Sequence, residues 1–217
     1  RQKKAIEEAA SLLKNTETAQ SLRLIPLHFH SQTLVSCSNV SIQYEERTIC
    51  GPLSFSIRQG DRLALDGKNG SGKSSLLKLI AGESLSHNGT LSVASGLVIS
   101  YVSQDTSYLK GTLSDFATQY RIDESLFKAI LRKMDFERVQ FTKDIQDFSG
   151  GQKKKVLLAK SLCEQAHLYV WDEPLNFIDI YSRMQIEQLI QEFSPTMIFV
   201  EHDRAFREKI ATGVMKL

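Results

Sequence analysis

No apolar run in this sequence reaches the roughly 20 residues that a membrane-crossing helix needs, and no secretory leader is visible. There are only three cysteines, Cys37, Cys50 and Cys163, far apart and without a CxxC pair. That scarcity excludes a disulfide scaffold and a zinc ribbon, and it places the chain in a reducing compartment, expected to be the cytoplasm. Charge of either sign is barely in excess, with 27 Lys and Arg against 25 Asp and Glu. The excess of +2 sits in residues 1–30, so a uniformly basic nucleic-acid binder is excluded. Internal repeats and low-complexity tracts are absent as well, as are long coiled-coil heptads.

What is present suits one medium domain, or a domain with an appendage: 217 residues, 41% apolar and 24% charged. Residues 2–20 carry Ile6, Ala9, Ala10 and Leu13 on one helical face. This helix either packs on its own domain or ends a linker from a preceding one. The second reading is preferred, because the helix starts without a cap and the chain starts at an arginine, as a fragment would. Pro26 closes the segment.

From Leu34 the pattern turns to short strands, SNVSIQY, PLSFSIR and DRLALDG, separated by turn residues. A helix KSSLLKLIAG follows, then strands TLSV and LVISYVSQ. Residues 112–136 read as helical, with Asp123 as an N-cap and a stripe of Leu126, Phe127, Ile130, Leu131 and Met134. Another helix follows FSGG. LYVWDE and TMIFV read as buried strands, each running into a helix. Apolar strands alternating with helices predict an α/β fold with a parallel core sheet covered on both faces, plus an antiparallel part from the early hairpins.

Gly67–Ser74, GKNGSGKS, fits GxxxxGK(S/T) in the required strand-to-helix setting. Glycines let the backbone wrap phosphates, Lys73 reaches the β- and γ-phosphates, and Ser74 offers a hydroxyl to Mg²⁺. Asp172 and Glu173 end a buried strand. Asp172 is placed to hold Mg²⁺ and Glu173 to polarise a water. Gln104 and His202 also stand at strand ends, where a γ-phosphate would be sensed. Tyr44 is open to two readings, an adenine-stacking ring or a strand-end tyrosine. His28 and His30 have strand spacing for a metal, but no third ligand is apparent and a surface strand is preferred. Lys153, Lys154 and Lys155 could face an acidic partner, and more ordinarily form a solvated helix face. FSGGQ, Phe148–Gln152, is a second anion-ready helix start in a chain that already has one phosphate loop.

These motifs, in this order over residues 38–217, resemble an ATP-binding cassette (ABC) ATPase. The resemblance implies a P-loop NTPase of ABC type, with a mixed, largely parallel core sheet, an antiparallel β subdomain and a small helical subdomain at about 105–165. It implies ATP and Mg²⁺ as ligands. ATP would touch Tyr44, Gly67, Asn69, Gly70, Ser71, Gly72, Lys73, Ser74 and Ser75. Mg²⁺ would be held by Ser74, Gln104 and Asp172, and catalysis would fall to Glu173, His202 and Gln104. It also implies that Ser149, Gly150, Gly151 and Gln152 serve the ATP of a partner cassette paired head to tail, so that full ATPase activity needs that partner.

Lys73 and Ser149 are 76 positions apart, which is short for a transporter cassette. DEPLNFID and VEHDRAF resemble the corresponding motifs of the ABC-F branch, and the run from Gly151 is similar to its Lsa/Vga-like subgroup, which protects ribosomes from antibiotics. On that resemblance residues 1–33 end an interdomain linker and residues 34–217 form a second, C-terminal cassette, with the ribosome as partner and no membrane domain. The alternative is the motor subunit of an ABC transporter. Leu175, Phe177 and Glu201 depart from the commoner motif, and Asp66 sets a carboxylate beside the phosphate loop, where it is expected either to point away or to pair with a base.

Overall fold

The computed structural model describes residues 23–217; the helix expected over residues 2–20 lies outside them. The first sheet is antiparallel and three-stranded, in the order β2-β1-β4, from β1 (Thr33–Tyr44), β2 (Arg47–Arg58) and β4 (His87–Val93). The second is parallel and five-stranded, in the order β5-β6-β7-β3-β8. Its strands are β3 (Arg62–Asp66), β5 (Ile99–Val102), β6 (Leu168–Asp172), β7 (Met197–Val200) and β8 (Gly213–Lys216). The expected mixed α/β architecture is therefore observed.

The parallel sheet is buried on both faces, and the side-chain alternation of its central strands shows how. Tyr169, Trp171, Met197 and Phe199 point into one apolar cluster with helices α2 (Leu113–Gln119), α3 (Glu124–Lys133), α4 (Gly150–Cys163), α5 (Ile180–Phe193) and α6 (Arg204–Ile210). Leu168, Val170, Ile198 and Val200 point into a second cluster with α1 (Lys73–Ile80) and the antiparallel sheet. A strand with both faces covered has no polar side to show, so β6 and β7 read as continuous apolar runs. Leu24 enters the first cluster and Phe29 the second, and the Leu27 N–H donates to the Ala166 carbonyl at 2.8 Å.

Two expectations are corrected and one strand is added. The helical stretch 112–136 is two helices, broken where Arg121 takes a positive φ of 54° and Asp123 caps α3 by accepting the Leu126 N–H. Leu126 does not join the buried stripe: it is exposed, at the solvent edge of the first turn, whereas Phe127, Ile130, Leu131 and Met134 are buried. Strand β8 was not anticipated. Among the described residues it is an edge strand held only through β3, and GVMK carries no strong period of its own.

Candidate nucleotide site

The loop from β3 to α1 has the conformation that its glycines permit. Gly70 and Gly72 have φ of 81° and 90°, in the left-handed region where a Cβ is strained. At Gly72 a Cβ would also meet Cys50 Cβ at 2.5 Å, so β2 packs directly on the loop. Lys73 is buried and its Nζ donates to the Gly67 and Lys68 carbonyls, both at 2.8 Å. The ammonium is thus folded back across the loop it would share with a phosphate. Ser74 and Ser75 lie in the first turn of α1, Asn69 is exposed at the loop tip, and the buried Ser71 hydroxyl has no hydrogen-bond partner. Tyr44 ends β1 at the hairpin turn with 68% of its surface exposed, so its ring face is free.

A connected set of polar contacts runs from this loop across the sheet. The Ser74 hydroxyl donates to Gln104 Oε1 at 3.4 Å, and Gln104 Nε2 donates to Glu173 Oε2 at 3.2 Å. His202 Nε2 lies 3.0 Å from Glu173 Oε1, and Asn176 Nδ2 donates to Glu173 Oε2 at 2.6 Å. Asp172 beside them is 0% exposed, and neither of its carboxylate oxygens has a hydrogen-bond partner. Burial raises its pKa, and the nearby Ser74 hydroxyl pulls the other way. A buried, unpartnered carboxylate is costly unless something cationic completes it. With the Ser74 hydroxyl and the Gln104 amide oxygen it offers an all-oxygen donor set, which fits a hard divalent cation such as Mg²⁺.

Ser149–Gln152 stand apart from this set. Ser149 caps α4 through a reciprocal box, in which its Oγ accepts the Gln152 N–H and Gln152 Oε1 accepts the Ser149 N–H. The N–H groups of Gly150 and Gly151 precede the first internal bonds of the helix and remain available. Among the described residues no hydrogen bond joins Ser149–Gln152 to residues 67–75.

Several residues at the site escaped the sequence reading. Asn176 was visible only as one letter of DEPLNFID. The lysine run is not a solvated face. Lys154 is 5% exposed, with Nζ 2.9 Å from the Ser103 carbonyl and 3.5 Å from that of Asp172, while Lys155 Nζ bonds Asp179 at 2.7 Å and the Met134 carbonyl at 2.6 Å. Burial lowers the Lys154 pKa, against the pull of Asp172, Glu173, Glu201 and Asp105. Asp66 does not face the loop as a bare charge. It accepts from Arg207 at 2.8 Å and from the Gly67 N–H at 3.0 Å, which holds its carboxyl below the usual range. Glu201 is buried and accepts the Leu175 N–H at 3.1 Å and the His202 N–H at 3.0 Å. His28 and His30 flank Phe29, whose ring meets His167 edge-on at 5.1 Å; no group of three metal-ligating side chains forms among the described residues.

A glycine-rich loop entering a helix beside a parallel sheet, with a buried carboxylate at the end of the next strand but one, defines a P-loop nucleotide-binding protein. The family model described as ABC transporter matches residues 50–176, more than half of the sequence, and the chain belongs to that family as an ATP-binding cassette. Its homologues include members of the ABC-F subfamily. It is 33% identical over 193 residues to ATP-binding protein Uup of Caulobacter vibrioides, covering 85% of this chain and 32% of that one. It is 29% identical over 215 residues to ribosome protection protein VmlR of Bacillus subtilis, covering 96% of this chain and 39% of that one. The chain therefore spans well under half the length of these curated relatives. A solved ATP-binding subunit of an ABC transporter superposes with a TM-score of 0.71 at 24% identity, covering 85% of this chain and 86% of that one.

Proposed function

We propose that this chain is the ATP-hydrolysing cassette of an ABC-F-type protein that acts on the ribosome. The observation that carries the hydrolytic part is the placement of Glu173. Its carboxylate meets His202 on one oxygen and Gln104 and Asn176 on the other, beside the unpartnered Asp172.

Phosphates enter the loop 67–75, where the free N–H groups at the start of α1 face them. Lys73 exchanges the Gly67 and Lys68 carbonyls for phosphate oxygens. Tyr44 offers its exposed ring to the adenine. Mg²⁺ held by Ser74 and Asp172, with Gln104 beside it, would neutralise charge on the terminal phosphates. Glu173 takes the proton of the attacking water, and its three partners fix its orientation in advance, so little reorganisation is left for the reaction. His202 lends a hydrogen bond to the terminal phosphate. Ser149–Gln152 have no bond to the chain's own loop, which supports the reading that they close on ATP held by a second cassette.

The ribosome enters through the relatives. VmlR, whose name states ribosome protection, matches 96% of this chain. The described residues contain no helix long and apolar enough to cross a membrane. On this reading residues 1–33 end a linker from the other cassette, residues 34–217 form the cassette, and the protein works in the cytoplasm to shield the ribosome from antibiotics.

Two experiments test the two halves. Lys73→Ala is expected to abolish tight ATP binding in a fluorescent-nucleotide titration; unchanged affinity would remove the loop from its role. The full-length protein carrying Glu173→Gln and its counterpart in the other cassette, which should bind ATP without turning it over, is expected to sediment with ribosomes only when ATP is present. Absence of pelleting from a protein that binds ATP would sink the ribosome reading and leave the cassette intact.

A further inference from the structure

Lys154 sits one turn into α4 and is almost wholly buried. A lysine gives up hydration there and needs acceptors in return. It finds them in two segments far apart in sequence. Its Nζ donates to the Ser103 carbonyl at 2.9 Å and approaches the Asp172 carbonyl at 3.5 Å. Those residues directly precede Gln104 and Glu173, whose side chains bond each other at 3.2 Å. One ammonium therefore grips the backbones of both segments that deliver this pair. It does so from the helix whose first residues are Gly150 and Gly151.

We propose that Lys154 is a positioning residue that ties the placement of the Ser149–Gln152 helix start to the geometry of the Gln104–Glu173 pair. The proposal rests on the reading above, in which that pair governs the attacking water. Within it, a shift of α4 moves Lys154 with the helix, and the two carbonyls it holds move the pair. Contact at the helix start is thus felt at the chain's own hydrolytic carboxylate. Small displacements of such a pair matter, because a misplacement of about 1 Å can cost on the order of a hundredfold in rate.

The test is a double-mutant cycle in the full-length protein, read by phosphate release and by nucleotide titration. Lys154→Met fills the same volume without a donor. It is expected to leave the ATP Kd within about twofold and to lower kcat by about tenfold or more. Combined with Gln104→Ala, it should be no slower than the slower single variant, because both remove the same placement. A lysine that merely supports the fold would instead multiply the two losses. Multiplied losses, or an unchanged kcat in Lys154→Met, would overturn the proposal. If the methionine variant does not fold, Lys154→Gln enters the same cycle with the same criteria. Lys73→Ala separates the two failures. If it still binds ATP, the nucleotide-site reading falls and this proposal with it; if it does not, the cycle judges Lys154 alone.

Discussion

His202 Nε2 and Glu173 Oε1 lie 3.0 Å apart, although the residues are 29 positions apart in sequence. The parallel register of β6 and β7 brings them together. Asp172 pairs with Val200, the Glu173 N–H donates to the Val200 carbonyl at 2.9 Å, and Glu173, one residue past β6, meets His202, two residues past β7, at the same sheet edge. The two strands that carry it, β6 and β7, are buried along their whole length.

His202→Ala is therefore expected to lower kcat by about tenfold to a hundredfold while ATP binding persists, since the imidazole acts on the water and terminal phosphate and not on the loop. Phosphate release at saturating ATP, with a parallel nucleotide titration, checks this. A matching loss of ATP affinity would mean that His202 contributes to holding the nucleotide.

Much of this site was legible in the sequence because its parts are local. The glycines of GKNGSGKS require the left-handed turns that Gly70 and Gly72 adopt, and the apolar runs before Asp172 and His202 announce buried strands that must end at a common edge. What could not be read is what depends on tertiary neighbours. Three lysines in a row look solvated, and only the packing of α4 between Ser103 and Asp172 turns Lys154 inward. Asp66 could be read as pointing away or as pairing with a base, but not which base: α6 brings Arg207 to it from 141 positions away. Strand β8 exists because β3 has a free edge, a fact invisible in GVMK itself.

Gly150 and Gly151 differ in what surrounds them. A Cβ at Gly151 would lie 2.6 Å from the Phe177 carbonyl oxygen, a backbone atom that cannot swing aside, whereas a Cβ at Gly150 would come no closer than 3.9 Å to the Phe177 ring. Gly151→Ala is expected to destabilise the fold by about 1–3 kcal/mol. Gly150→Ala should fold with near-parental stability. Urea denaturation of both variants decides. Equal stability would show that the segment around Phe177, whose side chain is 84% exposed, yields at no cost.

Asp179 makes an acid-side prediction. Burial would raise its pKa, but hydrogen bonds from Lys155 and from the backbone and hydroxyl of Ser182 outweigh that and bring it to about 2. An acid whose folded pKa is depressed stabilises the fold above its unfolded value of about 3.9, and the gain is lost as pH falls toward the folded value. Lys155→Met removes the first of these bonds. It is expected to cost about 1 kcal/mol at neutral pH, with screening of the half-exposed carboxylate allowed for. The deficit should shrink as pH drops from about 4 toward 2. A deficit that stays constant over that range would assign the effect to packing and not to charge.

Glu201 should behave in the opposite sense. Burial raises its pKa, and the N–H groups of Leu175, His202 and Asp203 only partly offset this. The folded state then holds the Glu201 proton to higher pH than the unfolded chain does, so ionisation costs stability above the unfolded value of about 4.3. Glu201→Gln removes that titration but keeps one acceptor for the Leu175 and His202 N–H groups. Glu201→Ala removes both acceptors and is expected to lose about 1–3 kcal/mol for the buried Leu175 N–H left without a partner. In urea melts across a pH series, the parental chain should gain on Glu201→Gln as pH is lowered toward about 4.3. If it loses ground instead, the ionised carboxylate is the stabilising form, and the backbone N–H groups around it outweigh its burial.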